Sequence, residues 1–169
     1  MMKHVIAALT ISACIAGSPA FAQVEQKTLP KDEIAKIKAD VIKAATEYLV
    51  YFSNSDAKSV AEKSYGPMAV AVGPNGIVAQ DRAASAASFA NSFVNLKKVG
   101  WVKSAWVNPI VCVLNANVAF MSSTYRRYDK DNKVIADLNE TLVYLRDKDG
   151  WKIVGNYPQP MEKTVTCND

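Results

Sequence analysis

Residues 142–154, Leu-Val-Tyr-Leu-Arg-Asp-Lys-Asp-Gly-Trp-Lys-Ile-Val, decide the fold of this chain. Two runs rich in β-branched and aromatic residues flank the polar turn Asp147–Gly150, a pattern typical of a β-hairpin. Within an earlier strand pattern, Asn108-Pro109 predicts a bulge or an edge because proline lacks the amide. Long strands joined by short polar turns predict an antiparallel meander. Its four strands are expected over 101–113, 118–128, 133–146 and 151–157.

Helical patterns occupy the first half of the chain. Apolar residues recur every three or four positions over 32–54, which predicts one long helix with a buried face. A shorter helix is expected over 55–65 and a third over 81–98, each opened by a polar residue suited to cap it. Between them, 68–72 and 77–80 are expected to pair as a hairpin. Helices first and strands last predict the α+β class: three N-terminal helices packed on a curved antiparallel sheet of about four long strands plus a short hairpin.

The first 22 residues predict an export signal. Lys3 and His4 precede the apolar run Val5–Ala16, and Ala20-Phe21-Ala22 supplies the small residues typical of a cleavage site. This pattern places the protein in the periplasm or outside the cell. Cys14 leaves two readings open, a lipid anchor formed by lipoprotein processing or an ordinary leader residue. The expected organisation is a signal peptide (1–22), a flexible lead-in (23–31), one domain (32–158) and a C-terminal tail (159–169).

The composition excludes several kinds of chemistry. The one histidine among the 169 residues is His4, which lies in the predicted leader. The mature chain therefore has no Ser-His-Asp or Cys-His catalytic group and no histidine-ligated metal, and we expect neither a metal nor a cofactor. The net charge of +4 is not gathered into a basic run, which argues against a nucleic-acid partner. No apolar stretch after the leader reaches the roughly 20 residues that span a bilayer, so no membrane span is expected.

Two segments together resemble one superfamily. Ala45–Asp56 is similar to that superfamily's first helix and the step into its second, and Leu142–Val154 is similar to its closing hairpin with Asp-Gly-Trp-x-Ile. With the element order, they resemble the nuclear-transport-factor-2-like (NTF2-like) superfamily, which includes ketosteroid isomerases and SnoaL-like polyketide cyclases. The resemblance covers 33–157 and implies a cone-shaped, cystatin-like roll that forms a homodimer through its exposed sheet. Because this fold carries many unrelated activities, it does not by itself imply a reaction.

The resemblance places some of the isomerase chemistry in this chain and omits the rest. Tyr48 falls at the family's oxyanion-binding tyrosine. The position of the catalytic base falls at Gly73 or Val72, and that of the second acid falls near Thr124, so neither holds a carboxylate. In many cyclase-like relatives a histidine follows the Trp-x-Ile motif of the last strand. In this chain the stretch after that motif contains Asn156 and no histidine. Ketosteroid-type isomerisation is therefore not expected.

The interior of the cone is the expected site. We expect it to bind a small, largely apolar or amphipathic molecule without covalent chemistry. An alternative is an enzyme of isomerase, lyase or cyclase type that uses Tyr48 as the oxyanion donor and Glu140 or Asp137 as the base. A third reading is a non-catalytic dimeric interaction module whose cone is filled by its own side chains, as core residues would fill it. The expected lining residues are Tyr48, Phe52, Trp106, Met121, Tyr125, Thr141 and Asn156.

Arg126-Arg127 lies in a strand, where alternation sends one guanidinium to each face of the sheet. One of them could reach the mouth of the cone and bind a carboxylate in bidentate fashion. The other reading is that both lie at the rim of the sheet, with their stems packed and their charges in water.

The two cysteines beyond the leader are Cys112, in the middle of a strand, and Cys167, near the end of the chain. In an oxidising compartment they could form a disulfide. Closing so long a loop would stabilise the fold by about 4 kcal/mol on the chain-entropy account. The alternative is a buried inert thiol at Cys112 and a free thiol at Cys167.

Overall fold

The computed structural model describes residues 28–73 and 76–167. The predicted signal peptide, Cys14 and most of the lead-in lie outside the described residues. Helix α1 (Lys31–Ser53) begins after Pro30 and has Asp32 and Glu33 in its first turn, where the helix dipole favours acidic side chains. Its buried face repeats every three or four residues, as the sequence predicts. The buried residues are Ile37, Val41, Ala45, Tyr48 and Phe52.

The second helix is shorter than expected. Helix α2 (Ala57–Ser59) is a single turn that continues as a π-helical turn, Val60–Ser64. The Asp56 carboxylate caps it by accepting a hydrogen bond of 2.9 Å from the Ser59 amide. Strand β1 then begins at Tyr65, so the residue expected to end the second helix is already extended and the strand begins three residues earlier than expected.

A hairpin and a longer helix follow. Strand β1 (Tyr65–Gly73) pairs with β2 (Gly76–Asp81) in antiparallel fashion. Helix α3 (Arg82–Lys98) begins where the Asp81 carboxylate accepts a hydrogen bond of 2.8 Å from the Ala84 amide, as its sequence predicts.

The long strands are β3 (Lys103–Asn115), β4 (Val118–Tyr128), β5 (Val134–Asp147) and β6 (Gly150–Gln159). The sheet has the order β2-β1-β6-β5-β4-β3. The α+β class and the element order are confirmed, but the sheet is mixed instead of wholly antiparallel, because β1 runs parallel to β6. The register of β3 shifts between Val107 and Ile110, where Asn108 has a φ of 52°, so the irregularity expected at Asn108-Pro109 is present.

The sheet has an inner face, which packs on the helices, and an outer face. In adjacent strands Val111, Met121 and Leu142 are paired in register, and all three belong to the buried core that includes the apolar face of α1. Because side chains alternate along a strand, Glu140, Leu142 and Tyr144 of β5 share the inner face. The intervening residue Thr141 points to the outer face.

The end of the chain crosses the outer face as a strap, residues 160–167, which we call the C-terminal strap. The Asn139 amide nitrogen lies 2.8 Å from the Met161 carbonyl oxygen and 3.0 Å from the Lys163 carbonyl oxygen. The Val165 amide donates to the Ser122 hydroxyl of β4 over 3.2 Å. The strap is held by hydrogen bonds from two central strands, which explains how a segment without apolar periodicity is placed.

A disulfide between Cys112 and Cys167 fixes the far end of the strap to β3. The two Cα atoms are 5.6 Å apart, a separation suited to this bond. Of the two states that the sequence leaves open for these cysteines, the structure has the bridged one.

Among the helices of the described residues, none combines the length and the apolar character needed to cross a membrane.

Candidate functional site

A cavity of about 370 Å³ lies between α1, α3 and the inner face of the sheet. This volume falls within the range of cavities that bind small molecules. Aromatic side chains form much of its wall, and a few polar side chains face into it. The lining residues are Tyr48, Phe52, Phe89, Ser92, Asn95, Leu96, Tyr125, Arg127, Leu138, Glu140 and Asn156.

Aromatic packing holds Tyr48 in place. Its ring stacks on Trp106, with centroids 6.0 Å apart, and lies 5.5 Å from the ring of Phe52 on the next turn of α1. The Trp106 indole N–H donates to the Ala45 carbonyl oxygen over 3.0 Å, which joins β3 to α1 one turn before Tyr48. These contacts therefore hold the Tyr48 phenol in a fixed position at the wall of the cavity.

Glu140 is the one carboxylate among the residues that line the cavity. It comes from the middle of β5 on the inner face, and burial raises the pKa of its carboxyl to about 7. A hydrogen bond from the Asn156 side chain and the positive charge of Arg127 only partly offset this effect. A carboxyl of this kind is close to half ionised at neutral pH, which suits it to accept and return a proton.

Four phenols surround this carboxyl. Burial is the main cause that raises the pKa of Tyr48, Tyr65, Tyr125 and Tyr144 above the ordinary tyrosine value, and the negative charge of Glu140 raises each of them further. All four therefore stay protonated across the physiological range and are able to donate a hydrogen bond to a bound molecule.

Several buried polar atoms in this region have no hydrogen-bond partner within the described part of the chain. They include Arg127 Nε and Asn156 Oδ1, which belong to lining residues of the cavity, and Tyr144 Oη nearby. A buried polar atom without a partner costs about 1–3 kcal/mol. A bound molecule with oxygen or nitrogen atoms would satisfy these groups, so their concentration here makes the cavity a candidate binding site.

The paired arginines separate as strand alternation predicts. Arg126 forms a bidentate ion pair with Asp137 on the outer face, with both N–O distances at 2.8 Å. This pair holds the pKa of the Asp137 carboxyl below its usual value. Asp137 is therefore engaged in an ion pair outside the cavity. Of the two carboxylates expected as candidate bases, only Glu140 lines the cavity. Arg127 faces the cavity, with its guanidinium carbon 5.6 Å from the centre of the Tyr125 ring.

The structure brings together four of the seven expected lining residues, Tyr48, Phe52, Tyr125 and Asn156. Trp106 lies behind Tyr48 as its packing partner, and Met121 is fully buried in the core. Thr141 lies on the other side of the sheet, because its neighbours Glu140 and Leu142 take the inner face. There its hydroxyl hydrogen-bonds with the side chain of Gln159.

Helix α3 supplies lining residues that were not among the expected ones: Phe89, Ser92, Asn95 and Leu96. The apolar spacing of α3 shows that Phe89 and Leu96 face inward, but the spacing alone cannot separate a core contact from a cavity wall. Ser92 and Asn95 carry no such signal, since serine and asparagine on a helix are usually solvent-facing.

A smaller cavity of about 170 Å³ adjoins the first, between α3 and the β1–β2 hairpin. Phe89 and Asn156 line both cavities and therefore form the partition between them. Tyr65 lines the smaller cavity, with its ring 5.3 Å from that of Phe89.

The positions that the isomerase resemblance assigns to carboxylates lie away from this site. Thr124 donates its hydroxyl hydrogen bond to Asn139 over 2.6 Å, on the outer face of β4. Val72 is in β1 and lines neither cavity. The carboxylate in this cavity therefore comes from β5, as Glu140, in place of the family's positions.

Neither a metal-binding group nor a second site of clear chemical character is found elsewhere in the described residues. The described residues contain no group of three or more histidine, cysteine or acidic side chains placed to hold a metal ion. A surface depression of about 250 Å³ lies between α1 and the β5–β6 hairpin, and its charged lining is mixed. Those charged residues are Asp40, Lys43, Glu47, Lys63, Arg146, Asp149 and Lys152.

Solved structures share this architecture at low sequence identity. A protein from Streptomyces avermitilis described as a "putative dehydratase from the NTF2-like family" is 16% identical, covers 76% of this chain and 99% of its own, and has a TM-score of 0.55. An NTF2-like protein with a cystatin-like fold from Novosphingobium aromaticivorans is 16% identical, covers 76% of this chain and 84% of its own, and has a TM-score of 0.59. These similarities show the fold alone.

No functionally curated protein matches the chain. The family model described as NTF2-like protein (DUF6841) matches residues 39–161. This match extends from the third turn of α1 to the start of the C-terminal strap, and it includes every residue that lines the cavity. The chain therefore belongs to this NTF2-like family.

Proposed function

We propose that the protein binds a small amphipathic molecule in the cavity and catalyses a proton transfer on it, with Glu140 as the base. The observation that carries this proposal is the partly buried side chain of Glu140, whose carboxyl pKa is raised to about 7, among unpartnered polar atoms in one aromatic cavity. Catalytic sites commonly place a carboxyl with such a pKa in a cleft.

The proposed reaction is proton abstraction from a carbon next to a carbonyl group. The ionised Glu140 takes the proton from that carbon, and the electron pair of the C–H bond moves toward the carbonyl oxygen. Tyr48 donates a hydrogen bond to this oxygen and stabilises the negative charge that develops. The protonated Glu140 then returns its proton to the substrate, either at another carbon or to a leaving hydroxyl group.

Return of the proton to another carbon gives an isomerisation, and its transfer to the leaving hydroxyl group gives a dehydration. The Streptomyces avermitilis protein with the same fold is named for the second of them. Because that likeness extends to the fold alone, the argument for this chain rests on Glu140 and Tyr48.

Binding without chemistry is the second candidate. The apolar wall formed by Phe52, Phe89 and Leu138 favours it, since such surface holds the body of a ligand without reacting with it. In this case the polar side chains would serve only to satisfy the ligand's polar atoms. A cone filled by its own side chains, the third reading, fits less well with a cavity of about 370 Å³.

The two candidates are distinguished by deuterium exchange. Small ketones and aldehydes are incubated with the protein in D₂O, and loss of the α-proton signals is followed by ¹H NMR. The proposal predicts exchange above background for at least one compound and an approximately 10²–10⁴-fold loss in Glu140→Gln. Asp137→Asn is the matched control and should retain the rate. Ligand binding without exchange by the wild type would favour the binding protein.

We also propose that the protein works in an oxidising compartment, as the leader pattern predicts. The disulfide between Cys112 and Cys167 supports this location, because such bonds persist outside the reducing cytosol. Cell fractionation tests it, with recovery of the mature chain in the cytosol as the contradicting result.

The homodimer through the sheet also remains a proposal. Such a dimer would have to form over the part of the outer face that the C-terminal strap leaves open. Light scattering of the oxidised protein measures its mass directly, and the mass of a single chain at micromolar concentration would contradict the dimer.

A further inference from the structure

Arg127 is the only cation among the residues that line the cavity. Its Nε is buried and has no hydrogen-bond partner among the residues that the structure describes. The neighbouring Arg126, by contrast, is fully engaged by Asp137. Two adjacent arginines therefore differ in a specific way: the outer one is paired with a carboxylate, and the inner one has no carboxylate partner within residues 28–73 and 76–167.

Glu140 does not take the place of that carboxylate. No ion pair of 4.0 Å or less joins the two side chains, whereas the pair between Arg126 and Asp137 is bidentate at 2.8 Å. The charge of Arg127 also fails to lower the pKa of Glu140 to the ordinary range, as a close ion pair would. The guanidinium is thus left with donors available to a bound molecule.

The contact with the Tyr125 ring fixes the orientation of the Arg127 guanidinium. The guanidinium lies over the ring of Tyr125, 5.6 Å from the ring centre, which limits the planes in which the fork of N–H groups can lie. A planar, oriented fork matches the two oxygens of a carboxylate. One monovalent cation beside a half-ionised carboxyl matches a singly charged group better than a phosphate dianion.

We propose that the molecule bound in this cavity is an aromatic or amphipathic monocarboxylate, whose carboxylate is held by Arg127. This inference rests on the proposed function in one respect, that the cavity is the binding site. The apolar body of the ligand lies against Phe52 and Phe89. Arg127 is then a specificity-determining residue that selects acids over neutral analogues.

The test uses two probes of equal shape, 2-naphthoate and 2-naphthamide, which differ in charge. Their binding is measured by calorimetry near pH 6, where Glu140 is mostly protonated and 2-naphthoate is ionised. The expected result is that the wild type binds 2-naphthoate at least about tenfold more tightly than 2-naphthamide. Arg127→Gln should remove this preference, and Arg127→Lys should retain part of it because the charge stays while the fork is lost.

Arg126→Gln is the matched control, since it removes the adjacent guanidinium from the opposite face and should keep the full preference. Circular dichroism establishes that each variant is folded. Equal affinity of the wild type for the two probes, or a preference that survives in Arg127→Gln, would overturn the role of Arg127 and leave the proposed function standing. Failure of both probes to bind the wild type would contradict the inference and the proposed binding site together.

Discussion

Tyr48 and Glu140 line one cavity from two different elements, the phenol from α1 and the carboxyl from β5. The negative charge of Glu140 is among the causes that raise the pKa of Tyr48. At neutral pH the pair therefore offers a phenol that stays protonated and a carboxyl that readily exchanges its proton. A donor and a base are what proton abstraction next to a carbonyl requires.

Loss of the Tyr48 hydroxyl should slow the proposed reaction more than it weakens binding. In Tyr48→Phe the ring still packs on Trp106, but the developing oxyanion loses one hydrogen bond. We expect the exchange rate to fall by about 10²–10³-fold and the dissociation constant to change by less than about tenfold. Parallel rate and binding measurements check this, and equal losses in both would indicate that Tyr48 only binds the ligand.

The Glu140 carboxyl should make the folded state less stable at alkaline pH. Its folded pKa of about 7 lies above the ordinary glutamate value of 4.5, so between these values the folded state keeps a proton that the unfolded chain has released. Stability from this source is complete below about pH 4.5 and is lost as the pH rises through about 7. Glu140→Gln removes the ionisable group and should raise the free energy of unfolding by about 3 kcal/mol at pH 8.

Urea unfolding of the wild type and Glu140→Gln at about pH 4.5 and pH 8 measures this difference. Asp137→Asn provides a control of opposite sign, because the ion pair with Arg126 lowers the pKa of Asp137 and favours its ionised form. That variant should lose stability at pH 8. A Glu140→Gln variant that is no more stable than the wild type at pH 8 would contradict a buried, costly carboxylate.

Phe89 should set the size of the ligand. Its ring separates the cavities of about 370 Å³ and 170 Å³, so Phe89→Ala is expected to join them. The variant should bind bulkier aromatic acids, such as anthracene-2-carboxylate, more tightly relative to 2-naphthoate than the wild type does.

Phe93→Ala is the matched control for this change, since Phe93 is a core residue of the same helix that lines neither cavity. Both variants should be destabilised by about 3–5 kcal/mol at most, so each is checked for folding first. If the two variants shift the size preference alike, Phe89 does not form the partition.

The disulfide should hold the C-terminal strap on the sheet. Reduction of the bond between Cys112 and Cys167, or the double variant Cys112→Ala/Cys167→Ser, removes a loop constraint worth at most about 4 kcal/mol. We expect a lower denaturation midpoint and faster trypsin cleavage after Lys163, whose carbonyl oxygen is held by Asn139. Reductant should not change the double variant further. Identical unfolding of the oxidised and reduced wild type would contradict a stabilising role for the bridge.

The class of fold was accessible from the sequence because it depends on periodicity. The buried face of α1 and the turn Asp147–Gly150 each follow from residue spacing, and the structure has both. The parallel pairing of β1 with β6 could not be predicted from the sequence, because no local pattern indicates which distant strand an edge hairpin pairs with. The early end of α2 was missed for a related reason: tertiary pairing draws Tyr65 into β1 in spite of the preceding helical turn.

The site was accessible only in part. Tyr48 follows from the family resemblance, and strand alternation predicts that Arg126 and Arg127 diverge. The choice between Glu140 and Asp137 required the register of β5, because a shift of one residue exchanges the two faces of a strand. The same dependence explains Thr141, which lies on the outer face beside Glu140 on the inner one.

The pKa of Glu140 tests the central claim most directly. The ¹³C chemical shift of its side-chain carboxyl is followed from about pH 4 to pH 9 in protein with labelled glutamate, and the signal is assigned by its absence in Glu140→Gln. The account predicts a titration midpoint near 7. A midpoint near the ordinary glutamate value of 4.5 would contradict the proposed base and, with it, the proposed proton transfer.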